Sequence, residues 1–515
     1  MSLKRLCQTT AIGLFLAVST LAPAQAQRDT NTVVVAITSD IRNFNIAMAF
    51  DASWFPSTLY FERLVAMDYG PDFAIRPLLA REWEISDDGL TYTFHLEEGV
   101  TWHDGEPFTS HDVAYTINAI VENETYGAAP LRVIESVETP DDLTVVFHLS
   151  EPSAPLLSNL ATYPRTPILP AHLYEGQEWE GHPNNMNPIG TGPYRLAEHR
   201  PGEYIAFTRY DDYWGETPEI ENVVFRVVPD DNVQAAQLLA GEIHAMNNPP
   251  PINLEPILDA DPDVAVDAPP GPMTYYFAMN VTTEPFDDPA LRRALAYAID
   301  REQLAETASF GIFEPARGTY VAAIDWAFDE SVQLPETDLE EAARLLDEAG
   351  YPLVDGERFA FDIWVSRTTT VDSAQIIREQ LRPLGITVNV NQMEDGLFRQ
   401  RLADMEHDSY VYGNWWGPDP SEWANYTVTG RFWNRMGYSN ERVDELFEMA
   451  NLALSEEERA AHYSEIQQIL LEDMPRIPLF DSGPYSFAHS TDLVGWFSEE
   501  PVSFRMDMRN LRWAD

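Results

Sequence analysis

The sequence predicts an α/β fold, and three observations carry the prediction. Hydrophobic residues make up 44% of the chain and aromatics 12%, a globular composition despite the charge. The chain has 515 residues; at roughly 150 residues per domain that is about two to four units, each able to bury a core. The last third alternates helix and strand patterns, the order that builds an α/β layer with a largely parallel core.

The elements follow in chain order. Val33–Ile37 is a short buried-strand pattern. Trp83–Ile85 and Thr91–Leu96 alternate like two strands joined through Asp87-Asp88-Gly89. Ser110–Val121 reads as a helix, with Ser110 as its cap and Asp112 in the first turn. Leu143–Leu149, Ile205–Arg209 and Val223–Val228 read as strands. Asp231–Ala240 reads as a helix stopped by Gly241. Pro269-Pro270-Gly271-Pro272 is strong punctuation, and a new strand, Thr274–Met279, begins after it, which places a domain junction there. Then come helices at Pro289–Ile299, Leu339–Ala349, Ser373–Leu381, Glu441–Ala450 and Glu456–Leu471, with strands at Phe359–Val365 and Ile386–Val390.

The N-terminus predicts export. Lys4 and Arg5 precede the apolar run Ala11–Leu21, and Ala24-Gln25-Ala26 offers small residues at both positions a signal peptidase reads. Residues 1–26 are therefore expected to be a cleaved signal. The run is too short for a membrane anchor, which needs about 20 apolar residues. Cys7 is the only cysteine and lies inside that signal, so the mature chain is expected to have no thiol chemistry and no lipid anchor.

The formal net charge of −52 argues against nucleic-acid binding, which requires a basic surface. Lys4 is the only lysine. An acidic surface almost free of lysine fits a protein bathed in high salt, where screening reduces self-repulsion. Catalytic signatures are lacking: there is no Gly-x-Ser-x-Gly, no His-Glu-x-x-His and no phosphate-binding glycine loop. Catalysis therefore gets little support, and no cofactor and no metal are expected. His103, Asp104 and Glu106 have ligand chemistry, but adjacent turn residues seldom converge on one point.

Four blocks carry a resemblance. They are Leu79–Phe108, with its Asp87-Asp88-Gly89 and Trp102-His103-Asp104-Gly105 turns; Gly190-Thr191-Gly192-Pro193-Tyr194 with Tyr213-Trp214-Gly215; Asp288–Arg301; and Trp415-Trp416-Gly417-Pro418-Asp419-Pro420. Together and in this order they resemble the oligopeptide/dipeptide/nickel solute-binding proteins of ABC importers, bacterial extracellular solute-binding protein family 5. The resemblance implies a two-lobed periplasmic-binding-protein fold of class II type with a ligand cleft between the lobes. It implies a discontinuous first lobe over 27–56, 187–268 and 484–515, an extra subdomain over 57–186, and a second lobe over 269–483. Pro269–Met279 and Phe480–Phe487 are the expected hinges. The implied protein is a periplasmic monomer that captures a short peptide by lobe closure and hands it to permease and ATPase subunits. An oligosaccharide, another polar solute or a nickel chelate are the alternative ligands, and a secreted hydrolase is the alternative class.

The resemblance also implies site residues. Arg367 follows a strand's carboxyl end, where α/β sheets put ligands, and stands where dipeptide-binding relatives have an arginine for the peptide carboxylate. Asp419 lies near their aspartate for the peptide ammonium, although this loop is shorter than theirs. A zwitterion in a dry cleft needs both charges paired. The bland readings are that Arg367 pairs with a structural acid and that Asp419 caps a turn. Trp415, Trp416 and Trp423 crowd one region, as side-chain pocket or as core; one of Trp415 and Trp416 is expected to face the cleft, since adjacent residues of an extended segment point opposite ways. Tyr275 and Tyr276 raise the same question at the hinge strand. Asn43 and Asn45 are expected near the first lobe's rim.

Overall fold

The computed structural model describes residues 31–48, 56–69, 73–125, 127–162, 165–267, 271–320, 322–482, 487–495, 497–499, 502–505 and 510–514. The expected signal, 1–26, lies outside them. Among the described residues no helix is long and apolar enough to cross a membrane.

Two large sheets organise the chain. The first has seven strands in the order Val264–Asp267, Phe487–Ser490, Ala245–Met246, Thr32–Ile37, Asn222–Val227, Tyr204–Arg209, Tyr194–Arg200. Thr32–Ile37 is central and parallel to both neighbours. The second has six strands in the order Glu314–Pro315, Arg476–Ser482, Met273–Met279, Ser409–Trp415, Phe359–Val365, Ile386–Gln392. The chain passes from one sheet to the other after Asp267 and again after Ser482.

The expected largely parallel core is corrected to a mixed one. Phe359–Val365 is parallel to Ile386–Gln392 and to Ser409–Trp415, because the helices Thr368–Leu381 and Asp395–Ala403 carry the chain back between them. Met273–Met279 and Arg476–Ser482 arrive without such a crossover and pair antiparallel. The parallel portion puts the carboxyl ends of three strands along one edge, where Arg367, Asp395 and Trp415 stand.

A third sheet, Ala80–Ile85, Thr91–Leu96, Thr144–Leu149 and Ile134–Asp141, is wholly antiparallel and local in sequence. Its first hairpin turns at Gly89, whose φ of 68° is the left-handed conformation that a side chain disfavours. The following helix runs Ser110–Glu122, but its cap is Thr109 rather than Ser110: the Thr109 N–H donates to the Asp112 carboxylate at 2.9 Å. Ser110 is instead the first helical residue, and its hydroxyl donates to Asp141 O at 2.7 Å.

Two of the recognisable sequence blocks meet at one joint. The His103 N–H donates to Gly190 O at 2.9 Å. The ring Nδ1 accepts from Gly190 N at 3.3 Å, and Nε2 donates to Gly192 O at 2.8 Å. This occupies both ring nitrogens with the imidazole neutral, and burial lowers its pKa to about 4. A Cβ on Gly190 would stand 1.6 Å from Tyr60 O, so only glycine lets the backbones approach. The Trp102-His103-Asp104-Gly105 turn is therefore a clasp, not a ligand set.

Candidate functional site

The strand Phe359–Val365 ends at the sheet edge, and Arg367 is the N-cap of the helix that follows. The Arg367 N–H donates to the Thr370 hydroxyl at 3.1 Å, and that hydroxyl donates back to Arg367 O at 2.7 Å. The backbone is thus held while the side chain projects, 57% exposed. Its Nε lies 3.6 Å from Asp395 Oδ1. The same carboxylate accepts from Arg399 Nε at 2.8 Å and from the Ser366 hydroxyl at 2.9 Å. Burial pushes the Asp395 carboxyl up, but the hydrogen bonds from Arg399 and Ser366 and the two guanidinium charges outweigh it and hold the carboxyl below its ordinary value. Two arginines therefore share one ionised acid at the strands' carboxyl ends.

The other expected residues fall into different surroundings. Asp419 is buried and bonded to Arg459 Nη2 at 2.6 Å, and it caps the short helix Pro420–Trp423 by accepting from Ser421 N at 2.9 Å. Burial opposes its ionisation, yet the Arg459 charge and hydrogen bonds keep its pKa below the ordinary value. The expected ammonium partner is thus already neutralised within the protein. The second acid of the loop, Glu422, is likewise held by Arg165, at 2.7 Å on each carboxylate oxygen.

Trp416 and Trp423 are core rather than pocket wall. Trp423 is fully buried and stacks on Tyr320 at 3.7 Å. Trp416 packs with Tyr276 and Tyr320 around the buried Arg476, whose guanidinium carbon lies 4.6, 5.8 and 5.3 Å from the three ring centroids. Their expected place in the cleft is corrected by that burial: the apolar rings are used to enclose a cation. Trp415 stays partly exposed at the end of its strand. Tyr275 and Tyr276, adjacent on Met273–Met279, point to opposite faces. Tyr275 is partly buried against Phe313 and Phe480. Tyr276 is buried and its hydroxyl accepts from Asn414 Nδ2 at 2.8 Å. Asn45 is fully buried, so its expected place at a rim is also corrected. Asn43 is partly exposed and caps the Asn45 N–H at 2.8 Å.

A cavity of about 30 Å³ lies beside the Arg399 helix, lined by Tyr412 and Asn414 of the strand, by Arg399, and by Tyr426, Trp433 and Arg435. Sequence reasoning missed Arg399, Asp395 and Arg435. The four-residue spacing of Asp395 and Arg399 was a visible signal of a helical ion pair; Arg435 gave none. Among the described residues no cluster of three histidine, cysteine or acidic side chains could hold a metal.

Residues 74–435 match the family model described as "Bacterial extracellular solute-binding proteins, family 5 Middle". The chain belongs to this family. As a family 5 solute-binding protein it has the two-lobed fold of its structural neighbours. It is 30% identical to the glutathione-binding protein GsiB of Salmonella paratyphi A, over 98% of each chain. It is also 30% identical to di/tripeptide-binding protein 2 of Pseudomonas aeruginosa, over 96% of each. Among solved structures it is similar to the periplasmic binding protein DppA of Helicobacter pylori in complex with the peptide STSA, at 26% identity and a TM-score of 0.77, covering 94% of this chain and 98% of that one.

Proposed function

We propose that this solute-binding protein is the periplasmic receptor of an ABC importer and that its solute is a short peptide. The relatives named for glutathione and for di- and tripeptides support the ligand class. The observation that carries the reading is Arg367, projecting from a fixed backbone at the strands' carboxyl ends with a second arginine beside it. A guanidinium fork there matches a peptide carboxylate.

In this reading the seven-stranded sheet belongs to a first lobe over 27–56, 187–268 and 484–515, the antiparallel sheet to an extra subdomain over 57–186, and the six-stranded sheet to a second lobe over 269–483. The hinge is proposed at Pro269–Met279 and Phe480–Phe487, of which 269–270 and 483–486 lie outside the described residues. Solute contacts to both lobes favour the closed form, which docks on the permease while separate ATPase subunits drive transport. The chain acts as an exported monomeric carrier without catalysis of its own.

Mass spectrometry of solute released from purified protein tests the ligand class directly, and titration calorimetry with di- and tripeptides tests affinity. Arg367→Ala is expected to weaken peptide binding by about 2 kcal/mol, the scale of a charged hydrogen bond in a desolvated site. Wild-type affinity in that variant removes Arg367 from the site. Product release from peptides by the pure protein defeats the carrier reading.

A further inference from the structure

We infer that the peptide carries a second carboxylate and that Arg399 and Arg435 receive it. The inference rests on the peptide-receptor reading and narrows its substrate class. Contact charges around the site do not balance. Arg367 and Arg399 share the single carboxylate of Asp395. Among the described residues no carboxylate lies within 4.0 Å of Arg435, while the exposed Asp404 acts on it only from farther off. Its guanidinium instead stands 4.1 Å from the Phe432 ring centroid and 5.7 Å from that of Trp433, and donates to Ala403 O at 3.4 Å.

Three guanidinium groups thus stand against one paired acid, in a chain with 84 acids and only 32 basic residues. The main-chain carboxylate of a peptide at Arg367 offsets one of the two excess guanidinium charges, while its ammonium adds a positive charge that Asp419 and Glu422, already paired, do not meet. A second carboxylate, directed to the cavity that Arg399 and Arg435 both line, neutralises the other. Tyr412 and Asn414 supply neutral hydrogen-bonding groups on the strand side of that cavity.

The surroundings favour the same ligand. Arg476, behind Tyr276, is buried with no carboxylate within 4.0 Å among the described residues, and its charge adds to the positive field at the cavity. The two acids of the 417–423 loop, Asp419 and Glu422, are held by Arg459 and Arg165, so that loop adds no uncompensated negative charge. The cavity's volume of about 30 Å³ is close to that of one water, so Trp433 and Tyr426 at its wall must turn aside for a side-chain carboxylate.

The test compares isosteric pairs. Ala-Ala-Ala is taken with Gln or Glu at each position, and each peptide is titrated calorimetrically into the full chain at one fixed ionic strength. At one position the Glu peptide is expected to bind about tenfold or more tighter than its Gln partner. Arg435→Gln and Arg399→Gln are each expected to collapse that ratio toward one, with circular dichroism confirming that the variants fold. Equal affinities for Glu and Gln at every position overturn the second carboxylate and leave the peptide reading standing. A ratio unchanged in both variants overturns the assignment to these arginines. Binding of none of the peptides defeats the peptide reading itself.

Discussion

At the scale of single residues, Asp419 shows how the same side chain can be read two ways. Its place in the Trp-Trp-Gly-Pro-Asp-Pro loop points to a ligand contact, but its carboxylate is bonded to Arg459 at 2.6 Å and both side chains are buried. Removing one partner of a buried ion pair leaves the other charge uncompensated and costs about 3–5 kcal/mol. Asp419→Asn is therefore expected to lower unfolding stability by about 3 kcal/mol, measured by urea titration, while the folded variant keeps most of its affinity for peptide. Full stability with lost affinity is the opposite result, and it would return Asp419 to the ligand site. Arg367 behaves differently because its partner is shared and its side chain is largely exposed. An incoming carboxylate can join it without breaking a buried pair.

At the scale of elements, most of the fold was legible. Phe359–Val365 has the bounds its apolar run predicted, and the strands at 33, 91, 205, 223 and 274 are each within one residue of their predicted starts. Periodicity and turn glycines report local geometry, and these elements are local. The surroundings of Asp419 and Glu422 were less legible because their partners are not local. Arg459 lies 40 residues from Asp419, and Arg165 lies 257 from Glu422. Nothing in a one-dimensional pattern brings such pairs together. Tryptophan crowding was visible, but whether an aromatic faces solute or encloses Arg476 depends on the sheet face beneath it. The Asp395–Ala403 helix was missed altogether; its arginines interrupt the apolar stripe.

The clasp at His103 gives a prediction at the same scale. Its imidazole is neutral in the folded chain, with a pKa lowered to about 4 by burial, against an ordinary value near 6.5. A depressed histidine stabilises the fold when neutral. Its contribution is present above about pH 6.5 and is lost as pH falls toward about 4, to a limit of about 3 kcal/mol. Urea midpoints between pH 7 and 4.5 should fall in the wild type and fall less steeply in His103→Gln. An identical slope in the variant assigns the acid sensitivity elsewhere, with His407, also lowered to about 4 by burial, the next group to substitute.

At the scale of the whole molecule, the question is what holds the proposed second lobe against the rest. Besides the two chain crossings, contacts join the proposed extra subdomain, 57–186, to the proposed second lobe, 269–483. Arg165 grips Glu422 through two bonds of 2.7 Å, the Ala154 N–H donates to Asn451 O at 2.9 Å, and Leu454 packs on Gly89. Glu422 belongs to the short helix capped by Asp419, so this latch and the Arg459 pair brace the same loop from two sides. If opening of the cleft separates these surfaces, the latch forms only on closure and contributes to solute affinity by stabilising the bound state. Glu422→Gln should then weaken peptide binding by about tenfold, chiefly through faster release, and leave the melting temperature of the solute-free protein unchanged. Stopped-flow release rates and solute-free melting curves separate the cases. A lowered solute-free melting temperature with unchanged release means that the pair is present in every conformation. In that case the proposed extra subdomain and second lobe move as one body, and closure occurs against the seven-stranded sheet alone.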